Sequence, residues 1–214
     1  MGLEIRPLTK HIGAQILGID LRQPLDEATR AAIYKAWLDH LVIVFPDQKL
    51  EQEDLLRVSS YFGEIGALRR PPKFFPPGFN RLLPNIMLIS NIRENGEPIG
   101  ALPDGEMMFH HDMIHAPIPH NGFRTHEETK RKAIYVNRLM TVGIEGMDEA
   151  QSQPLLEAVF DHAERDEFVY EHVWSVGDLL LWDNRCSSHA RTDFPADQRR
   201  LMLRTTIEGT VKPY

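Results

Sequence analysis

The chain has 214 residues, a formal net charge of -7, a pI near 5.8 and one cysteine, Cys186. That length suits one large domain, or at most two small ones, and the acidic balance argues against a nucleic-acid surface: two basic pairs, Arg69-Arg70 and Arg199-Arg200, do not make a stripe. A lone cysteine excludes an internal disulfide framework and fits a reducing cytoplasm, and no apolar run, signal-peptide pattern or myristoylation signal points to a membrane.

In chain order, Leu3–Leu8 and Ile12–Leu17 read as short strands, the second closed by Gly18. Asp26 is placed to cap a helix running to about His40, with Ile33, Ala36, Trp37 and Leu41 at helical spacing. "LVIVF" (41–45) is a compact apolar run and reads as a buried strand ended by Pro46. Residues 51–62 form a second amphipathic helix, with Leu55, Val58, Ser59 and Phe62 on one face and Gly63 as its stop. The loop "RRPPKFFPPGFNRLLPN" follows, broken by five prolines. Ile86–Ser90 and Met107–Asp112 read as strands, as does "AIYVN" (133–137). Met147–Ala163 reads as a helix burying Leu155, Leu156, Val159, Phe160 and Ala163. The closing runs "FVYEHV", "DLLLWD", "CSSHAR" and "LMLRTTIEG" suggest antiparallel strands of a barrel or jelly roll.

The stretch "FHHDMIHAPIPH" (109–120) carries four of the ten histidines. A helical zinc pair, His111 with His115, is opposed by Pro117 and Pro119, which would break the helix within a turn. In a strand, His110 and Asp112 stand at i and i+2, so an imidazole and a carboxylate share one face while His111 points away. His189, beyond the turn-like "WDNR" (182–185), is the best third ligand. Two histidines and a carboxylate make a facial triad with three metal positions open. The ordinary alternative is that all three are merely surface or core polar residues. Further on, Arg200, Met202 and Arg204 alternate onto one face of an apolar strand. Guanidinium groups held against a barrel interior call for anions, and a carboxylate matches them two-pronged; an exposed, solvated edge strand explains Arg199 better than Arg204.

Together, the H-x-D, the "WDNR…H" segment and an arginine eleven positions after that histidine resemble the taurine dioxygenase/2,4-D dioxygenase family of Fe(II)- and 2-oxoglutarate-dependent oxygenases. The likeness extends through "IGAQILGIDL", "VIVFPDQ", "FGEIG" and "RTHEETKRKAIYVN". It implies a mainly β fold, a double-stranded β-helix (a cupin-like jelly-roll barrel) with flanking helices. It implies that His110, Asp112 and His189 bind Fe(II), with no catalytic residue beyond that centre. It also implies that Arg200 holds the distal carboxylate of 2-oxoglutarate and that Arg204 meets an anionic group of the substrate. The implied reaction consumes O2, releases succinate and CO2, and hydroxylates a small anionic organic acid.

Two departures from the family pattern stand out. The separation between H-x-D and the distal histidine is about half that of family members, and the shortfall lies between His120 and Arg124. Residues 1–214 are read as a single domain with a segment missing near 120–121, so that His120 and Asn121 would not be covalent neighbours; a Cα separation near 3.8 Å would refute this. With that segment go barrel strands and a threonine that assists 2-oxoglutarate binding. Secondly, "ALRRPPKFFPPGF" has no histidine, and Glu106 stands where an asparagine would help hold a sulfonate. Taurine itself is therefore disfavoured, and Met108, Met113, Phe74, Phe75 and Phe79 suggest a more apolar substrate body.

Cys186 is read as a small buried residue rather than a nucleophile, and His115, His120 and His126 as loop residues. Two other functions use the same residues: a zinc-dependent hydrolase, which would not need Arg200, and a non-catalytic anion-binding barrel. The expected partners are a small anionic substrate and further copies of the chain in a homo-oligomer, with neither nucleic acid nor membrane, in the cytoplasm.

Overall fold

The computed structural model describes residues 2–67, 76–101, 105–112, 123–195 and 197–209. The N-terminal half holds β1 (Glu4–Pro7), β2 (Ala14–Leu17), α1 (Glu27–His40), β3 (Val42–Phe45), α2 (Gln52–Ser60) and β4 (Met87–Ser90). The short pair β5 (Arg93–Glu94) and β6 (Glu97–Pro98) follows, then β7 (Met107–His110), β8 (Phe123–Thr125) and β9 (Lys132–Ile134). The chain then forms α3 (Glu149–Ala163), β10 (Leu179–Trp182), β11 (His189–Arg191) and β12 (Leu201–Arg204).

The core is built on a four-stranded sheet in the order β1-β2-β3-β10. β1 and β2 are antiparallel, with Glu4 opposite Leu17. The bend that ends β2 needs Gly18: its φ is +78°, and a Cβ there would stand 2.2 Å from the Gly2 carbonyl oxygen. β3 is apolar at every position because all four of its residues are buried. It pairs parallel with β2 and antiparallel with β10, where Trp182 lies opposite Val42. α1 covers this sheet with Ile33, Ala36 and Trp37. Its start is fixed by Asp26, whose carboxylate accepts the Thr29 N–H at 2.8 Å. α2 begins at a Glu51–Asp54 capping box and buries Leu55, Val58 and Ser59.

The other ladders are two-stranded: β7 with β11, β4 with β12, β5 with β6, and β8 with β9. Among the described residues the hydrogen bonding thus forms one open sheet and four ribbons, rather than one closed ladder. A small cluster of Phe79, Leu88 and Ile99 supports β4. No helix among the described residues is long and apolar enough to cross a membrane.

Several expectations are corrected. The strand expected over 107–112 stops at His110. "FVYEHV" forms no strand: Asp166–Phe168 is a 3-10 turn, and residues 169–173 join no described ladder. An isolated segment gains nothing from extended geometry without a hydrogen-bonded neighbour. α3 starts at Glu149 behind Asp148, whose carboxylate accepts the Gln151 N–H at 2.8 Å. Its buried line is Ser152, Leu156 and Phe160, so Leu155 turns outward and is half exposed. Phe79 is a core residue, and Met108 is exposed. Phe74, Phe75, Met113, His115, His120 and the His120–Asn121 junction lie outside the described residues.

Candidate metal centre

The ribbon of β7 and β11 brings two histidines face to face. His110 ends β7 and lies directly opposite His189, the first residue of β11. Their rings are 4.2 Å apart and tilted by 45°. His110 Nδ1 stands 3.0 Å from the Met108 carbonyl oxygen. A carbonyl only accepts, so Nδ1 carries the proton and Nε2 keeps its lone pair. That Nε2 is 4.0 Å from Asp112 Oδ1, and His189 Nε2 is 3.7 Å from Asp112 Oδ2. One donor atom from each of the three residues lies within 4.8 Å of the others.

Asp112 reaches this position by a route that strand alternation does not describe. It lies past the end of β7, in a turn. Its backbone is gripped by Asn184, 72 residues away: the Asn184 Oδ1 accepts the Asp112 N–H at 3.1 Å, and Nδ2 donates to the Asp112 carbonyl at 2.8 Å.

Charge at the site is arranged to suit a cation. Burial pushes the His189 imidazole down to about 4, against the pull of Asp112 and with the help of His110 and Arg204. At neutral pH it is therefore uncharged and able to act as a ligand. Arg204 donates Nη2 to Asp112 Oδ2 at 2.5 Å and lies over the Trp182 ring, 5.8 Å from its centre. Trp182 in turn stands 5.0 Å from the His189 ring. Arg204, expected beside the substrate, thus meets the candidate ligand carboxylate.

Arg200 is a different kind of cation. It is half-buried, its backbone N–H bonds to Asn91 Oδ1 at 2.8 Å, and its Nε donates to the Met202 sulfur at 3.0 Å. A thioether is a weak acceptor. Burial lowers the Arg200 pKa, and Arg191 lowers it further. Among the described residues no carboxylate stands within ion-pair distance of it. A partly desolvated guanidinium without a counter-charge is a ready anion site.

His126 is not a loop residue in the ordinary sense. It is buried, and its Nε2 donates to Asp183 Oδ2 at 2.9 Å while Nδ1 accepts the N–H groups of Glu128 and Thr129. Arg185 holds the same Asp183 two-pronged through Nε and Nη2, at 2.8 and 2.7 Å, and reaches Glu127 and Glu128 with Nη1. The sequence signal was the "DNR" spacing, which lets an arginine fold back on the aspartate two residues before it. Cys186 joins His126 and Asp183 in a second group of closely spaced donors. That group does not suit a metal: Asp183 is already occupied by Arg185 and His126, and burial pushes the Cys186 thiol up to about 12. His111 points away from His110, as expected, and accepts from Asn137 Nδ2 at 3.2 Å, its ring 4.3 Å from Tyr135.

The residues present fit a first-row divalent metal. His110 and His189 turn Nε2 toward Asp112, and that carboxylate completes a 2-His-1-carboxylate set, the donor combination of non-haem Fe(II). Adjacent donors on one such ion stand about 3 Å apart, and both imidazole-to-carboxylate separations are within about 1 Å of that.

Comparison with known proteins agrees with this geometry. The model of the family described as "Taurine catabolism dioxygenase TauD, TfdA family" matches residues 4–122 and 115–206. The (S)-phenoxypropionate/alpha-ketoglutarate-dioxygenase of Sphingobium herbicidovorans is 23% identical over 283 positions, covering 96% of this chain and 95% of that protein. The alignment is longer than the chain, so it carries long gaps opposite it. The alpha-ketoglutarate-dependent 2,4-dichlorophenoxyacetate dioxygenase of Cupriavidus pinatubonensis is 39% identical over 89 residues, 41% of this chain and 31% of that one. The crystal structure of a taurine dioxygenase from Burkholderia xenovorans superposes with a TM-score of 0.72 at 27% identity, over 99% of this chain and 92% of that one. The family match spans both arms of the triad, and the chain belongs to the taurine dioxygenase TauD/TfdA family.

Proposed function

We propose that this protein is an Fe(II)- and 2-oxoglutarate-dependent dioxygenase that hydroxylates a small anionic organic acid. The observation that carries this reading is the convergence of His110, Asp112 and His189, with one donor atom of each within 4.8 Å. When bound, Fe(II), 2-oxoglutarate and O2 supply the oxidation: the cosubstrate leaves as succinate and CO2, and one oxygen atom enters a substrate C–H bond. The strands described above belong, in this reading, to a jelly-roll barrel.

The chain's own residues do the holding and the shielding. His110 and His189 present their Nε2 atoms, and Asp112 presents its carboxylate. Arg200 takes the distal carboxylate of 2-oxoglutarate, supported by its lack of an ion-pair partner among the described residues. Arg204, with Nη2 on Asp112, offers its remaining N–H groups to the substrate anion from the same face of the strand, and Trp182 keeps its guanidinium against an apolar wall. An acid of the aryloxyalkanoate type fits better than taurine: the relatives are named for phenoxypropionate and 2,4-dichlorophenoxyacetate, and Glu106 offers no amide to a sulfonate. The working form is a homo-oligomer.

The test is succinate release from 2-oxoglutarate by the purified protein with Fe(II), ascorbate and air, beside a His110→Ala control. Succinate that disappears in the control is expected. None from iron-loaded protein would move the reading to a zinc hydrolase or a non-catalytic anion-binding barrel. With turnover in hand, aryloxyalkanoates, sulfonates and alkyl sulfates can be compared by the extra succinate that each elicits.

A further inference from the structure

β7 ends at His110, so nothing in its ladder fixes Asp112. The segment after Trp182 does. Asp183 is only 1% exposed and is the anchor of a rigid turn. Its N–H donates to the Leu41 carbonyl at 2.8 Å, its carboxylate is filled by His126 and Arg185, and its carbonyl accepts the Ser187 N–H and hydroxyl at 3.0 and 2.7 Å. A turn held on so many sides has little freedom to move. It projects Asn184 toward β7 and delivers His189 five residues later.

We propose that Asn184 is the positioning residue of the metal centre, fixing the Asp112 carboxylate relative to His189 by clamping the Asp112 backbone. The two hydrogen bonds run in opposite senses, from the Asp112 N–H to Oδ1 and from Nδ2 to the Asp112 carbonyl. This determines the orientation of the amide, because a flipped side chain would set donor against donor and acceptor against acceptor. The clamp ties the first ligand-bearing segment to the turn that carries the last one. The position of Asp112 is therefore set by a contact across 72 residues rather than by its own strand. That matters in a chain whose family match breaks at residues 115–122. Residues that orient ligands without touching the metal typically change affinity by 10- to 100-fold.

The inference rests on the metal-site reading above, and its test separates the two. Co(II) affinity is measured by titration for the wild type and for Asn184→Ala, Asn184→Asp and Ser187→Ala, together with thermal midpoints and hydrogen exchange of the Asp112 amide without metal. Asn184→Ala is expected to weaken Co(II) binding about 10-fold or more and to expose the Asp112 amide to exchange. Asn184→Asp keeps the acceptor and loses the donor, so its affinity should lie between those of the wild type and the alanine variant; it also decides the matter if the alanine variant does not fold. Ser187→Ala removes one bond inside the same turn, and should lower the thermal midpoint while leaving Co(II) affinity within about twofold. Equal affinity of wild type and Asn184→Ala would overturn the inference alone, as would an affinity loss in Ser187→Ala that matches its stability loss. A wild type that takes up no Co(II) would overturn the metal-site reading and this inference with it.

Discussion

Arg185 offers the sharpest test of how this site is supported. Its guanidinium meets Asp183 through two nitrogens and Glu127 and Glu128 through a third, and it lies 5.0 Å over the Trp37 ring. Asp183 is almost wholly buried. In Arg185→Met most of the side-chain volume is kept, but a buried carboxylate loses its cationic partner and retains His126 and the backbone N–H of residue 185. Stranding one member of a buried pair costs about 3–5 kcal/mol, and part of a cation–π contact, roughly 1 kcal/mol, goes with it. These contributions overlap, so about 3–5 kcal/mol is the expected total. For a chain of this size each kcal/mol moves the thermal midpoint by roughly 2–4 °C, which puts the shift on the order of 10 °C. Urea unfolding followed by fluorescence and circular dichroism measures it. The double variant Arg185→Met/Asp183→Asn should lose much less than the sum of its parts, because neutralising Asp183 removes the stranded charge. A loss below about 1 kcal/mol in Arg185→Met, or strict additivity in the double variant, would refute the argument that this ion cluster anchors the turn.

Three further outcomes follow from the same geometry. Arg200→Ala should raise the KM for 2-oxoglutarate by 10-fold or more, through loss of a charge-assisted pair worth about 1.5–3 kcal/mol, with little change in thermal midpoint because no ion pair among the described residues is broken; succinate kinetics and a melting curve check both halves. Cys186, its thiol pushed up to about 12 by burial, carries a thiolate fraction of about 10⁻⁴ at pH 8, so a disulfide reagent should fail to label the folded protein and label it fully in guanidinium. Acid should unfold the protein through the Asp183 cluster. Burial raises both carboxyls, but Arg185 and His126 at Asp183, and backbone and Arg185 hydrogen bonds at Glu127, outweigh it and hold them below their ordinary values of 3.8 and 4.5. The unfolded chain thus takes up protons first as pH falls, so this stabilisation is full above pH 4.5 and is lost progressively below it. Urea midpoints from pH 6 to pH 3 should fall less steeply in Asp183→Asn than in the wild type.

Local signals in the sequence carried well where local physics decides. The Asp26 cap, the spacing of Ile33, Ala36 and Trp37, and the unbroken apolar run of β3 each specify an element with little help from elsewhere. The convergence of His110, Asp112 and His189 was legible too, although strand alternation accounts for only part of it. An H-x-D repeat puts two side chains on one strand face, yet Asp112 lies beyond the strand and is held by Asn184 from 72 residues away. No spacing rule reveals a contact of that range. His126 was missed for the same cause: its partner Asp183 is 57 residues distant and gives no periodic signal. "FVYEHV" failed in the opposite sense. Its composition suits a strand, but a strand exists only in a ladder, and its sequence says nothing about whether a partner is there.

The most direct measurement is an anaerobic titration of Fe(II) into the protein with 2-oxoglutarate present, followed in the visible range. The account predicts a weak metal-to-ligand charge-transfer band that saturates near one equivalent. The band should be absent with zinc and lost in both His110→Ala and His189→Ala. No band from folded protein, or a band that survives removal of either histidine, would contradict the assignment of a single iron to His110, Asp112 and His189.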